Sequence, residues 1–167
     1  MPRLFVVSGL PGAGKTTLAR ALSQFHGAVH LQTDEWLSAQ RLDLLDATLR
    51  RRTERMLWRH AQVLLDAGVD VILDFGAWSR LERERFRRGA RGLGAEVELH
   101  CLDVPLEVRV RRVAARAASR SGAYGAAAEP TATQQRDWQE RYWQPADDAE
   151  RASYDSPLPL PPLLPGA

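Results

Sequence analysis

The period of the apolar positions changes several times along this chain, and each change marks an element. Leu4-Phe5-Val6-Val7 is an unbroken apolar run, the pattern of a strand buried on both faces of a parallel sheet. Thr17 to Leu22 then repeats apolar residues at helical spacing, and Ala28 to Leu31 is short and apolar enough for a second strand. Helical patterning returns after Trp36 to about Leu45. It continues from Asp46 to Ala67 with Leu49, Met56, His60, Val63 and Leu64 on or near one side, until Gly68 stops it. Val69 to Asp74 predicts a third strand ending in an acid, Phe75 to Trp78 a turn, and Ser79 to Leu93 a helix. Val97, Leu99 and Cys101 alternate with Glu96, Glu98 and His100, the signature of a half-covered or edge strand. Asp103-Val104-Pro105 opens a further helix carrying Val108, Val110 and Val113, and Thr131 to Gln144 is helical again with Trp138, Tyr142 and Trp143.

Strand and helix alternate throughout. The expected fold is therefore α/β: a doubly wound parallel sheet of four or five strands with helices on both faces. Residues 1–155 are expected to form a single domain. Small residues and glycine from Ser119 to Pro130 predict a lid over about 117–132. Residues 156–167, with five prolines among leucines, predict a proline-rich C-terminal tail, draped on the body or disordered.

Between the first strand and the first helix lies Gly9-Leu10-Pro11-Gly12-Ala13-Gly14-Lys15-Thr16, which fits G-x-x-x-x-G-K-[ST]. Glycines at this spacing let backbone N–H groups turn inward around phosphates, at a helix N-terminus whose dipole favours an anion. The ammonium of Lys15 would reach the β- and γ-phosphates, Thr16 would ligate Mg²⁺, and Thr17 completes the loop's cofactor-binding set. Lys15 is also the only lysine of the chain; every other one of its 23 basic residues is arginine. A Gly-Pro turn joining strand to helix is the bland alternative. The implied cofactors are ATP or GTP, with Mg²⁺.

Composition narrows the setting. A chain of 167 residues with 44% hydrophobic and 26% charged residues is ordinary for one globular domain. No apolar run approaches the ~18 residues of a membrane span, and a cytoplasmic location without membrane partners is expected. Cys101, alone of its kind, excludes an intramolecular disulfide, and the four histidines show no ligand spacing. The net charge of +2 rests on arginine runs, Arg50 to Arg59 and Arg80 to Arg91, that are usually solvated helix faces. Nucleic acid is accordingly not the expected partner. A nucleotide triphosphate and a small hydroxyl acceptor are, for a monomer or homodimer.

Two acids follow strands, at the end of the sheet where ligands bind in such folds. Asp34 is placed to accept a proton from a hydroxyl, or else it caps the next helix. Asp74 is placed to hold Mg²⁺ or its water, to bind substrate, or to cap a turn. Trp36 and Trp78 follow these acids and would wall an acceptor pocket, unless they are core aromatics. Arg112 and Arg116, four apart, lie on one helix side before the lid, where they would serve the nucleotide or remain a solvated face.

Together these residues resemble the small P-loop kinases that phosphorylate hydroxyls: chloramphenicol phosphotransferase, gluconate kinase, the zeta-toxin kinases and the 5′-kinase half of polynucleotide kinase. The likeness rests on Gly9 to Thr17, on Thr33-Asp34-Glu35-Trp36 and on Leu73-Asp74-Phe75-Gly76-Ala77-Trp78, and covers about residues 3 to 150. It implies Lys15, Asp34 and Arg116 as catalytic residues, with Asp34 the general base. It also implies that Arg112 lies against adenine and Arg116 against phosphate. The implied activity is transfer of the γ-phosphate of ATP to a small-molecule hydroxyl, in the chloramphenicol enzyme's likeness that of an antibiotic or secondary metabolite. The alternatives are a polynucleotide 5′-hydroxyl kinase and a regulatory nucleotide-binding ATPase. No clear fifth strand, and hence no adenine loop, is visible.

Overall fold

The computed structural model describes residues 1–119 and 129–160. Its elements are β1 (Arg3–Gly9), α1 (Lys15–His26), β2 (Val29–Gln32), α2 (Thr33–Ala39), α3 (Ala47–Asp66), β3 (Val71–Gly76), α4 (Arg80–Arg91), β4 (Glu96–Leu102), α5 (Leu106–Ser119), α6 (Ala132–Arg141) and α7 (Asp148–Arg151). The four strands form one parallel sheet in the order β2-β3-β1-β4. No fifth strand occurs among the described residues. β4 is an edge, as its alternation predicts.

Side-chain alternation along the strands sorts the core into two layers. Phe5, Val7 and Ile72 pack with Leu18, Ala19 and Leu22 of α1 on one face. Leu4, Val6, Val71, Leu73 and Val97 pack with Leu57, Trp58, Ala61 and Leu65 of α3 and Phe86 and Ala90 of α4 on the other. Helices thus cover both faces, and the central strand β1 is apolar on both sides for that reason.

Two boundaries depart from the sequence pattern. α2 stops at Ala39 instead of running to about Leu45. Arg41 takes a left-handed φ of 56°, Asp43 binds the N–H of Leu45, and Asp46 caps α3 through the N–H groups of Thr48 and Leu49. Aspartates that bind nearby backbone compete with helix in this way. β3 runs past Asp74 to Gly76, so the acid lies inside the strand.

Of the predicted lid, residues up to Ser119 continue α5 and Ala132 begins α6 behind the capping residue Thr131; 120–128, Arg120 included, lie outside the described residues. Of the tail, Ser156 and Leu158 lie along β4. Ser156 accepts a hydrogen bond from Arg3, and Leu158 donates to buried Glu98 and packs on the α1 layer. Residues 161–167 lie outside the described set.

Candidate active site

Strand alternation explains how the phosphate end is built. Ile72 faces α1, so Asp74, two residues on, faces α1 as well. Its Oδ2 accepts a hydrogen bond of 2.8 Å from Thr16 Oγ1 in the first turn of that helix. On the neighbouring strand, Gln32 is registered with Asp74 and donates to Thr16 at 3.0 Å. His30, on the same side of β2, lies with Nε2 3.3 Å from Asp74 Oδ2. Burial alone would push the Asp74 carboxyl up. The His30 contact, the Lys15 charge and the Thr16 hydrogen bond outweigh it and hold the acid below the ordinary carboxylate range.

The loop between β1 and α1 curls around Lys15. Packing about the ammonium pushes Lys15 below the usual lysine range against the pull of Asp74 and Asp34, and its Nζ donates to the Leu10 carbonyl at 3.3 Å. Gly12 has a φ of 80°, and a Cβ there would stand 2.7 Å from the Arg109 carbonyl, so only glycine fits between the loop and α5. Pro11, Gly12, Gly14, Lys15, Thr16 and Thr17 open onto a cavity of about 830 Å³. Leu10 and Ala13 are buried beneath the loop, and Gly9 accepts a hydrogen bond from the Trp78 indole.

Asp34, Asp74, Trp78, Arg112 and Arg116 line the same cavity. The elements that carry them are far apart in sequence and meet at the carboxyl ends of the strands. Asp34 sits in the first turn of α2 and does not cap it, since Gln32 holds the cap position. Its carboxylate is paired with Arg50 of α3, which also donates to the Leu44 carbonyl. Arg112 donates to the Gly12 carbonyl at 3.2 Å, and Arg116 is bound through two nitrogens to Glu129, at 2.6 and 2.7 Å.

Trp36 does not line the cavity. It follows Asp34 by two helical positions, some 200° around α2, while Asp34 and buried Leu37, three apart, share the inward side; Trp36 is exposed. Trp78 does line it. The ring stacks at a tilt on Trp138 of α6, with centroids 5.5 Å apart.

Sequence patterning misses Glu54, Trp138 and Tyr142, which line the cavity with Leu44, Leu45 and Arg50. Burial, with the carboxylates of Glu82 and Asp34 and against Arg50 and Arg85, pushes Glu54 up to about 7. It also misplaces Arg83 and leaves Arg109 unplaced. The arginine run predicts a solvated face for Arg83, but this residue shares the 83, 86, 90 spacing of Phe86 and Ala90 and is buried with them. Buried Arg109 donates to the carbonyls of Val104 and Pro11 and to Gln135 and Gln139 of α6, bracing the loop from α5.

A family model described as AAA domain matches residues 4–145. The chain belongs to that family. Among curated proteins, an uncharacterized protein of Mycobacterium tuberculosis is 34% identical over 154 residues, a match covering 81% of this chain and 30% of that longer protein. Among solved structures, a candidate kinase of Chloroflexus aurantiacus superposes with a TM-score of 0.66 at 23% identity, covering 84% of this chain and 80% of that one. A sugar kinase of Janibacter sp. HTCC2649 gives a TM-score of 0.61 at 24% identity, over 89% and 81% of the two chains. The fold is that of the small P-loop kinases, and the resemblance seen in the motifs holds at the level of family and architecture. No helix among the described residues is long and apolar enough to cross a membrane.

Proposed function

We propose that the chain transfers the γ-phosphoryl group of ATP to a hydroxyl of a small molecule. The observation that carries this reading is that one cavity is lined both by Lys15, Thr16 and Asp74 and by a second group of residues, Asp34, Trp78 and Trp138. Its volume is in the range of pockets that bury drug-sized ligands. A nucleotide-binding switch has no need of the second group.

Phosphoryl transfer asks for position and charge neutralisation more than for covalent work by the protein. The acceptor oxygen bonds to the γ-phosphorus as the bond to the β,γ-bridging oxygen breaks, and Asp34 takes the hydroxyl proton. Arg50 holds the Asp34 side chain in place. Negative charge on the departing ADP and on the transferred group is met by Lys15 and, at the mouth, by Arg116. Arg112, already against the loop, serves the nucleotide. Thr16 Oγ1 and Asp74 offer only oxygen, which fits Mg²⁺ arriving with the nucleotide, Thr16 as a direct ligand and Asp74 through water. Bound there, the ion would neutralise charge between the β- and γ-phosphates.

Trp78, Trp138, Tyr142, Leu44 and Leu45 give the acceptor end apolar and aromatic walls, which favour a ring-bearing acceptor such as an antibiotic or other secondary metabolite. One observation favours a second reading. Arg52, Arg55 and Arg59 surround exposed Met56 in a shallow concavity on α3, a surface suited to the backbone of a 5′-hydroxyl polynucleotide.

The test is ATP consumption across phenicol, aminoglycoside and nucleoside antibiotics, sugars and 5′-hydroxyl oligonucleotides, with the phosphorylated product identified by mass. A phosphorylated small molecule supports the main reading. An oligonucleotide product whose formation falls steeply with salt supports the second. Consumption indifferent to every hydroxyl compound contradicts both.

A further inference from the structure

A short turn holds the aromatic wall of the cavity, and it is held in turn from outside the cavity. Gly76 has a φ of 95° and Ala77, a residue with a side chain, a left-handed φ of 46°. Such a conformation is strained and persists only where neighbours impose it. Trp78 makes the turn tighter still, because its indole nitrogen would stand 2.9 Å from a Cβ at Gly76.

What imposes the turn is visible. Arg83 of α4, fully buried, donates to the carbonyls of Ala77 at 3.1 Å and Trp78 at 3.2 Å. The other edge of the guanidinium makes two parallel hydrogen bonds, of 2.7 and 2.8 Å, to Glu150 of α7, which is itself buried. Ser8 Oγ donates to the same Ala77 carbonyl at 2.7 Å, and the N–H of Gln144 donates to the carbonyl of Trp78 at 3.0 Å. The indole is thereby left with one position, in which Nε1 donates to the Gly9 carbonyl at 3.1 Å and the ring lies on Trp138. An ion pair with both partners buried is a poor way to gain stability, since desolvation offsets most of the attraction. A fork with fixed geometry is a good way to hold two carbonyls and a carboxylate in one plane.

We infer that Arg83, clamped by Glu150, is a positioning residue for acceptor binding: it fixes the Gly76–Trp78 turn and with it the Trp78 wall of the acceptor end. The inference rests on the proposed transferase reading for its kinetic arm and on the geometry alone for its spectroscopic arm.

The experiment compares Arg83→Met/Glu150→Leu with the unaltered protein. Replacing both partners leaves no orphaned charge, so the fold is expected to be kept while the turn loses Arg83 and retains only Ser8 and Gln144. Two indoles 5.5 Å apart couple in the far-ultraviolet circular dichroism, and Trp138→Phe, which removes one of them, identifies that couplet. The double variant is expected to weaken the couplet, to raise the acceptor KM by about fivefold or more and to leave the ATP KM within about twofold. Arg83→Lys, which keeps the charge but has one nitrogen to serve both Glu150 and the two carbonyls, is expected to fall between; it also answers the question should the double variant not fold. A couplet and acceptor KM unchanged in a folded variant overturn the inference, as does an equal rise in both KM values. If no acceptor is ever phosphorylated, the transferase reading fails, while loss of the couplet still upholds the turn's dependence on Arg83 and an intact couplet ends it.

Discussion

The two ends of the cavity are built by opposite means. The phosphate end comes from one continuous loop and from side chains that strand alternation and register bring to a single point: Thr16, Asp74, Gln32 and His30 are joined by hydrogen bonds and largely buried. The proposed acceptor end takes Asp34 from α2, Arg50 and Glu54 from α3, Trp78 from the β3–α4 turn and Trp138 from α6. Its charged groups are partly exposed: Asp34 is paired with Arg50, which also donates to the Leu44 carbonyl. The first set is centred on one backbone loop, whereas the second is written in side chains on separable elements.

The comparison breaks if damage at one end spreads to the other. The largest effect expected is that of Lys15→Ala, which removes the charge proposed to meet the β- and γ-phosphates and should abolish nucleotide turnover while melting near the unaltered protein. Normal turnover in that folded variant would contradict the transferase and the ATPase readings together. Asp74→Asn keeps the shape beside Thr16 and removes the charge proposed to attract Mg²⁺. The Mg²⁺ concentration for half-maximal activity should rise, by about tenfold if the charge contributes roughly 1.4 kcal/mol, and a metal titration checks it. Arg116→Ala should cut the transfer rate several-fold, on the scale of a partly exposed charge, while changing ATP affinity less. A loss in affinity alone would make it a ground-state ligand.

The smallest effect sharpens the acceptor end. Glu54, pushed up to about 7, binds its proton more tightly in the folded chain than in the unfolded one. The fold therefore loses stability as pH rises through the window from the ordinary glutamate value of 4.5 to about 7. Glu54→Gln removes that loss, so its melting temperature should exceed that of the unaltered protein by a few degrees at about pH 8 and match it near pH 4.5. Equal differences at both pH values would mean that the carboxyl is not held in a desolvated place.

The same contrast governs how much the sequence discloses. The phosphate loop is eight consecutive residues whose chemistry is local, and the alternating pattern of strands and helices implies the parallel sheet and the end at which ligands bind. Asp34 and Asp74 are legible as acids near strand ends. The bond from Asp74 to Thr16 is not, because it depends on β3 continuing past the acid and on register with β2. Trp36 and Trp78 look alike in sequence, each close behind an acid, yet helical geometry turns one outward while a turn carries the other in. Arg83 and Arg109 are hidden by their company, since runs of arginine are mostly solvated and only the spacing to Phe86 and Ala90, or to Val113, separates the buried member from the rest. Glu54, Trp138 and Tyr142 have no local signal and join the site only through tertiary packing.

The division between the two ends is tested most directly by Asp34→Asn, measured for ATP·Mg²⁺ binding and for single-turnover transfer to the acceptor that the screen identifies. The account predicts near-normal nucleotide affinity and transfer slower by roughly 10²-fold or more, the scale of a positioned general base. Nucleotide affinity lost in step with the rate, and restored by excess Mg²⁺, would contradict it and place Asp34 at the metal instead of the acceptor.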